Sequence, residues 1–172
     1  MPPGERVSLW ALPSSRDRDL YRRCIERLAH VVGSEPFEPH ITLVGSVPTP
    51  ASAAAVVQPV VAGTKPFAAE LIEVVDSEEY FRCVVLVVRP EGKIVVLRDK
   101  LVAALGVRRD AFWPHLSLLY ADVSPSERQR LRSSLHLDLP VSLVIDAVCL
   151  VNTGPSDVRR WSILEWWPLE LN

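Results

Sequence analysis

The sequence predicts an α+β fold in which two similar lobes, each a mostly antiparallel sheet with helices on its outer face, share a central cleft. Three observations predict it. Apolar residues follow strand and helix periods in the order β-α-β-α-β, then β-α-β-α-β-β. A short motif recurs with its histidines, His40 and His115, 75 positions apart, which indicates a weak internal duplication. The length of 172 residues, with 48% apolar and 23% charged, is typical of one compact domain.

Capping residues set the expected limits of the elements in the first half. Ser14 with Asp17 three residues later is typical of a capping box, and a helix is expected from there to Gly33. Thr49 and Pro50 predict the N-cap and first residue of a second, Ala/Val-rich helix. The expected strands are Val7–Leu12, His40–Val47 and Phe67–Val75.

The second half repeats this order. Leu97, Leu101 and Leu105 mark a helix closed by Gly106, and the segment Ser124 to Glu127 is a second capping box with proline at the first helical position. The expected strands are Tyr80–Val88, His115–Val123, Val141–Val151 and Arg159–Leu169, the last two forming a hairpin. We therefore expect one domain over residues 1–172, with lobes at about 7–76 and 77–169.

Composition excludes several classes of protein. The net charge is −2, from 19 basic and 21 acidic residues, so no long nucleic acid is expected as a partner. Three scattered cysteines form neither a disulfide framework nor a metal-binding pair. No apolar run is long enough for a membrane span, and the N-terminus lacks the layout of a secretory signal. We expect a cytoplasmic monomer that does not bind membranes.

The residues that carry chemistry lie in the repeated motif. It occurs as Phe37-Glu38-Pro39-His40-Ile41-Thr42-Leu43 and as Phe112-Trp113-Pro114-His115-Leu116-Ser117-Leu118. Residues two apart share a strand face, so each strand presents an imidazole beside a hydroxyl. Imidazole near pH 7 can act as base or acid, and hydroxyls can donate hydrogen bonds to phosphate oxygens. This set suits the hydrolysis of a cyclic phosphodiester, whereas two histidines without a third ligand make a poor zinc site.

The paired motif resembles the H-x-[TS] signature of the two-histidine (2H) phosphoesterase superfamily. Within that superfamily, the chain is similar from about Val7 to Leu169 to the cyclic phosphodiesterases of plant and yeast type. The similar segments are VSLWALP, FEPHITLVGSV, YFRCVVL, WPHLSLLYADVS and VCLVNTG.

This resemblance implies an activity. Enzymes of that type open ADP-ribose 1″,2″-cyclic phosphate, formed during tRNA-splicing metabolism, to ADP-ribose 1″-phosphate. Many also open nucleoside 2′,3′-cyclic phosphates to 2′-phosphates, and they do so without metal or cofactor. A small nucleotide is therefore the implied substrate.

The resemblance also implies roles for single residues. His40 and His115 correspond to the acid/base pair, Thr42 and Ser117 to phosphate ligands, and Trp10 and Tyr120 to aromatic contacts that stack on the substrate's base. Strand alternation places Tyr120 opposite His115, so its ring reaches the cleft only if the strand bends or ends there. The near symmetry of the repeat leaves open which histidine is the base.

Two other groups could border the cleft. Arg108 and Arg109 precede the second motif and could neutralise a diphosphate, although such a pair is usually solvated. Trp161, Trp166 and Trp167 are typical packing residues, with one indole possible at the cleft edge.

Two alternative functions stay open. An RNA-end-processing enzyme of the same superfamily would act on oligonucleotide 2′,3′-cyclic ends or 2′,5′ linkages, and it should carry a basic track. A nucleotide-binding module without catalysis would use the same cleft, but it has no need of two motif histidines.

Overall fold

The computed structural model describes residues 6–47 and 50–170, and within them it has seven strands and four α-helices. Their order confirms the predicted α+β class and the predicted sequence of elements. The elements are β1 (Val7–Pro13), α1 (Ser15–Val32), β2 (Ile41–Val44), α2 (Pro50–Ala62), β3 (Phe67–Asp76), β4 (Val84–Val88), α3 (Lys93–Leu105), β5 (His115–Leu119), α4 (Pro125–Ser133), β6 (Val141–Asn152) and β7 (Ser162–Pro168).

The capping residues act as the sequence predicts. The Ser14 hydroxyl accepts a hydrogen bond from the Asp17 amide at 3.4 Å, which satisfies one of the free N–H groups at the start of α1. The Ser124 hydroxyl does the same for α4. Gly33 closes α1 with φ 71°, a conformation that costs glycine little because it has no Cβ. The predicted cap Thr49 lies outside the described residues.

Four predicted strands, those that correspond to β2, β4, β5 and β7, are shorter than expected. β2 begins after His40. β5 ends at Leu119, because the chain turns there and the Ala121 amide donates a hydrogen bond to the Tyr80 carbonyl. The predicted start of β4 is instead a 3-10 turn, Tyr80–Arg82, closed by a hydrogen bond from the Ser77 amide to the Cys83 carbonyl. A second 3-10 turn, Val158–Arg160, precedes β7.

All strand pairs are antiparallel and they close a ring. β1 pairs with β2 and β6, β2 with β5, β5 with β4, β4 with β3 and β3 with β6, while β7 is added on the outer side of β6. The strand β6 has 12 residues and pairs with three strands: Val141–Ile145 with β3, Ile145–Asn152 with β1 and Ala147–Asn152 with β7. Strands of the predicted first lobe, which ends at residue 76, therefore pair with strands of the predicted second lobe. The two halves of the chain complete each other's backbone hydrogen bonds.

The helices bury their apolar stripes against this ring. Ile25 and Leu28 of α1 and Leu97 and Leu101 of α3 belong to one large core with the strands. A second, small cluster on the other face of β1 and β6 contains Trp10. Burial of each large aliphatic side chain stabilises the fold by about 1.5–3 kcal/mol, so the ring is a rigid base for the residues on its polar face. Across the described ranges, we find no helix with the length and apolar character of a bilayer span.

Candidate active site

One cavity of about 350 Å³ contains all six site residues that the sequence predicts. Its lining is formed by Arg6, Ser8, Trp10, His40, Thr42, Gly45, Glu79, Phe81, Arg82, His115, Ser117, Tyr120, Thr153 and Trp161. The two motif strands, β2 and β5, are neighbours in the ring, which explains why residues 75 positions apart meet.

The register of β2 and β5 arranges the motif residues. Ile41 pairs with Leu116, and both side chains are fully buried in the core. The residues that flank this pair therefore share the opposite face, which faces the cavity. In an antiparallel pair this register sets His40 across from Ser117 and Thr42 across from His115, so the two histidines are diagonal neighbours, positions whose backbones are typically about 7–8 Å apart. Each strand thus contributes one imidazole and one hydroxyl to a common centre.

Both imidazoles are held by the same local hydrogen bond. Nδ1 of His40 donates to the Glu38 carbonyl at 2.6 Å, and Nδ1 of His115 donates to the Trp113 carbonyl at 2.9 Å. A carbonyl oxygen only accepts, so the proton of each neutral ring is on Nδ1. Nε2 is left available, as a base when the ring is neutral and as an acid when it is charged.

The two imidazoles differ in their surroundings. His40 is only 6% exposed, and the Trp10 indole is stacked on it with ring centroids 3.6 Å apart. Burial is the main cause that lowers the pKa of His40 to about 4; the hydrogen bond to the Glu38 carbonyl opposes this shift, and a charge on His115 adds to it. His115 is half-buried, and burial lowers its pKa as well, with a contribution from Arg82 that Glu79 opposes.

The two hydroxyls also differ. Thr42 is half-buried, and its hydroxyl has no hydrogen-bond partner among the described residues. Ser117 is buried, and its hydroxyl donates to the Phe81 carbonyl at 3.0 Å. Thr42 can therefore donate to a phosphate oxygen as it stands, whereas Ser117 has to give up its bond to Phe81 first.

The two aromatic residues that the sequence predicts at the site line the cavity but are mostly covered. The strand β5 ends at Leu119, which lets the Tyr120 ring reach the cavity. Trp10 and Tyr120 are each 4% exposed; one face of Trp10 lies on His40, and Tyr120 is stacked on Phe37 with centroids 3.6 Å apart. The exposed ring at the cavity is Phe81.

The other tryptophans and arginines are distributed as follows. Trp161 edges the cavity, as expected for one of the three C-terminal indoles. Trp166 lies under the Arg18 guanidinium at 4.9 Å instead. Arg108 and Arg109 do not line the cavity, and Arg109 pairs with Asp99 at 2.6 Å. A role for these two arginines at the cleft is therefore not supported.

Seven lining residues were missed by the sequence interpretation: Arg6, Ser8, Gly45, Glu79, Phe81, Arg82 and Thr153. Glu79 lies in the predicted acidic turn, and Phe81 and Arg82 lie at the start of the predicted strand Tyr80–Val88, which forms the 3-10 turn instead. The acidic segment Asp76–Glu79 just before it, which contains Ser77, is the sequence feature that indicates a turn here. Over the residues described, no three His, Cys, Asp or Glu side chains are grouped as metal ligands.

Comparison with protein families decides the relationship. The model of the "2'-5' RNA ligase superfamily" matches residues 16–157. The chain belongs to the 2'-5' RNA ligase superfamily. The superfamily predicted from the two histidine motifs, the 2H phosphoesterases, is thereby supported.

A distant relative with a named activity is also similar to the chain. A "Cyclic phosphodiesterase" of Arabidopsis thaliana is 24% identical over 162 residues, which cover 90% of each chain. The family match and this distant relative together support a phosphodiesterase activity.

Solved structures show the same fold. A protein of Thermus thermophilus, TT0787, superposes with a TM-score of 0.63 at 16% identity, over 95% of this chain and 97% of that one. Escherichia coli LigT, crystallised with 3'-AMP, gives 0.61 at 16% identity, over 98% and 99%. A further chain described as a phosphoesterase gives 0.62 at 14% identity, over 98% and 99%.

Proposed function

We propose that the protein is a metal-independent cyclic phosphodiesterase of small nucleotides. Its substrates are ADP-ribose 1″,2″-cyclic phosphate, opened to ADP-ribose 1″-phosphate, and nucleoside 2′,3′-cyclic phosphates, opened to 2′-phosphates. The observation that carries this proposal is the pair of Nδ1-anchored imidazoles on one face of adjacent strands, with a hydroxyl beside each. The superfamily and the distant plant relative support it.

His40 is the general base in this proposal. Burial keeps its ring neutral at any pH above about 4, so Nε2 is ready to take a proton from water. The water oxygen then bonds to phosphorus while the bond from phosphorus to one ribose oxygen breaks. That ribose oxygen is the 3′ oxygen of a nucleoside 2′,3′-cyclic phosphate or the 2″ oxygen of the ADP-ribose derivative.

His115 is the general acid. Burial and Arg82 lower its pKa, and the hydrogen bond to the Trp113 carbonyl and Glu79 oppose them, but it is less buried than His40, so the charged form of its ring is the more accessible of the two. Its Nε2 gives a proton to the departing ribose oxygen, which balances the proton that His40 takes from water. Thr42 donates a hydrogen bond to a non-bridging oxygen, where charge increases in the transition state.

In this proposal the base of the nucleotide binds against the aromatic rings of the cavity. Trp10 and Tyr120 were predicted to stack on it, and both line the cavity. Their covered faces support a role as its wall, with the exposed Phe81 ring as the stacking surface. We place the enzyme in the cytoplasm as a monomer. Its three cysteines are unpaired, which suits a reducing compartment.

The test is hydrolysis of both substrate types with a chelator present. We expect wild-type turnover to survive the chelator, and His40→Ala and His115→Ala each to lower kcat/KM by about 10²–10⁴. His136→Ala, which removes an exposed histidine away from the cavity, is the matched control. Full activity in His40→Ala with a folded protein would refute the mechanism. Nucleotide binding without any turnover would instead favour the non-catalytic module.

An RNA-end-processing activity is the second candidate, because the family's description names RNA and the cavity contains two arginines, Arg6 and Arg82. Such an enzyme would bind longer oligonucleotides more tightly, with a steep dependence on salt. Hydrolysis of oligonucleotide 2′,3′-cyclic ends that accelerates with chain length would favour it over the small-nucleotide activity.

A further inference from the structure

A second cavity, also of about 350 Å³, lies between the end of α2 and one face of α3. Its described lining residues and those of the active-site cavity do not overlap. The chain has 16 arginines but only three lysines, and all three line this second cavity: Lys65, Lys93 and Lys100. None of its described lining residues is acidic. We call it the lysine pocket.

One wall of the lysine pocket is a face of α3. Lys93, Val96, Leu97 and Lys100 follow the spacing i, i+3, i+4, i+7, so their side chains lie on the same side of the helix. Leu97 is buried in the core, and Val96 is 53% exposed. An apolar surface therefore separates the two lysines of α3, and a bound molecule can contact it.

The chain that leaves α2 forms the opposite wall. The helices α2 and α3 pack against each other. The Thr64 amide donates to the Val61 carbonyl at 2.9 Å, and the Thr64 hydroxyl donates to the Val60 carbonyl at 2.9 Å. These bonds fix the backbone from which Lys65 extends. The packing of the two helices thus brings Lys65 to the lysines of α3, although it is 28 positions before Lys93.

The positive charges of the lysine pocket are not balanced by the protein. Among the described residues, Lys93 and Lys100 have no carboxylate partner, whereas Arg89, four positions before Lys93, pairs with Glu70 and Glu91. Lys93 is the first residue of α3, where the helix dipole is positive, so its charge destabilises that end of the helix. A multivalent anion in the pocket relieves this repulsion, and ammonium groups donate hydrogen bonds to phosphate oxygens.

We propose that the lysine pocket is a binding site for a small molecule with a linear polyphosphate chain. Such a chain carries several negative charges, which match the three lysines, and the cavity is within the usual range of about 300–1,000 Å³ for small-molecule sites. A long nucleic acid is a poorer match, because Arg89 is already neutralised and the pocket does not continue into a basic track. The site is separate from the catalytic cavity and does not depend on the proposed phosphodiesterase activity.

The first test is calorimetric titration with tripolyphosphate at constant ionic strength. The proteins are the wild type, the double variant Lys93→Gln/Lys100→Gln, the charge-preserving variant Lys93→Arg/Lys100→Arg, and Arg82→Gln, which removes a charge from the active-site cavity instead. We expect one binding event that the wild type, the charge-preserving variant and Arg82→Gln share, and that is about tenfold or more weaker in the double Gln variant. Equal affinity in the wild type and the double Gln variant, or weaker binding only in Arg82→Gln, would overturn the proposal.

ATP in place of tripolyphosphate distinguishes two sources of the same chemistry. Tighter binding of ATP would identify a nucleotide, because its base can contact the apolar surface of Val96 and Leu97. Tighter binding of tripolyphosphate would identify an inorganic polyphosphate. In either case the double Gln variant should lose the preferred ligand.

Thermal unfolding separates a site from general screening of charge. Tripolyphosphate should raise the midpoint of the wild type more than sodium sulfate does at the same ionic strength, with the excess lost in the double Gln variant. An equal rise with both salts would overturn the proposal. The kcat/KM of the double Gln variant on adenosine 2′,3′-cyclic phosphate should equal that of the wild type. If that substrate is not hydrolysed at all, the proposed function fails, and the titrations still decide on the lysine pocket.

Discussion

His40 and His115 have the same anchor and different surroundings, and this difference determines how they divide the chemistry. Each Nδ1 donates to the carbonyl two residues earlier in the chain. His40 is buried under Trp10, whereas His115 lies near the Glu79 and Arg82 side chains. A neutral base and a charged acid can coexist only between their two pKa values.

The first prediction at this scale concerns pH. The productive form has neutral His40, with a pKa of about 4, and charged His115, whose pKa is lowered from 6.5. We therefore expect a bell-shaped profile of kcat/KM, with activity rising as His40 loses its proton and falling as His115 loses its own. The optimum should lie on the acidic side of neutrality, and steady-state kinetics across pH measure it.

Two charge variants check the assignment of the alkaline limb. Glu79 raises the pKa of His115 and Arg82 lowers it. Glu79→Gln should therefore move the alkaline limb to lower pH, and Arg82→Gln should move it to higher pH. Shifts of the acidic limb instead would assign the charged role to His40 and contradict the proposed division.

At the scale of elements, a buried arginine of α3 positions the segment that leads into the second motif. Arg98 is 3% exposed, and its Nη2 donates to both the carboxylate and the carbonyl of Asp110, the latter at 3.1 Å. Its guanidinium also lies 5.1 Å from the Phe112 ring. These contacts fix the chain between Gly106 and His115, including the Trp113 carbonyl that anchors the His115 ring.

We expect Asp110→Ala to destabilise the fold by about 1–3 kcal/mol, although Asp110 itself is exposed. The reason is that the buried Arg98 loses its main carboxylate partner, and its Nε already has no hydrogen bond. Urea unfolding measures the effect, with Asp138→Ala, at an exposed position outside this contact, as the control. Equal stability of the two variants would contradict this role of Asp110.

At the scale of the whole molecule, the ring of strands joins the two halves of the chain into one unit. The strand β1 finds its longest pairing with β6, and β3 pairs with β4 and β6. The strands of the first half, β1 and β3, therefore need β4 and β6 of the second half to complete their backbone hydrogen bonds. The closing contact, between β2 and β5, is also the one that assembles the active site.

We therefore expect one cooperative unfolding transition, and no stable fold in a fragment of residues 1–76. Tryptophan fluorescence and far-UV circular dichroism should report coincident midpoints for the full chain. The fragment should show little ordered structure, because β1 and β3 lack their partner β6. A cooperative transition in the isolated fragment would mean that the first half is an independent lobe.

Local sequence patterns were enough to predict the order of the elements and the chemical groups of the site. Ser14, Gly33, Ser124 and Gly106 limit helices as expected, because a cap depends on hydrogen bonds within a few residues. The repeated motif identified two imidazoles and two hydroxyls that the structure brings to one cavity, since alternation along a strand fixes which residues share a face.

The differences between these groups, and the residues that surround them, depend on contacts between parts of the chain that are distant in sequence. The two motifs are nearly identical, yet His40 is buried by Trp10 of another strand, and the Ser117 hydroxyl is taken by the Phe81 carbonyl. Arg6 joined the site through Gly45 and Thr153, which are far from it in the chain. Burial, pKa and charge balance sum the contributions of all neighbours in space, and the ring of strands chooses those neighbours through pairings that span the whole chain.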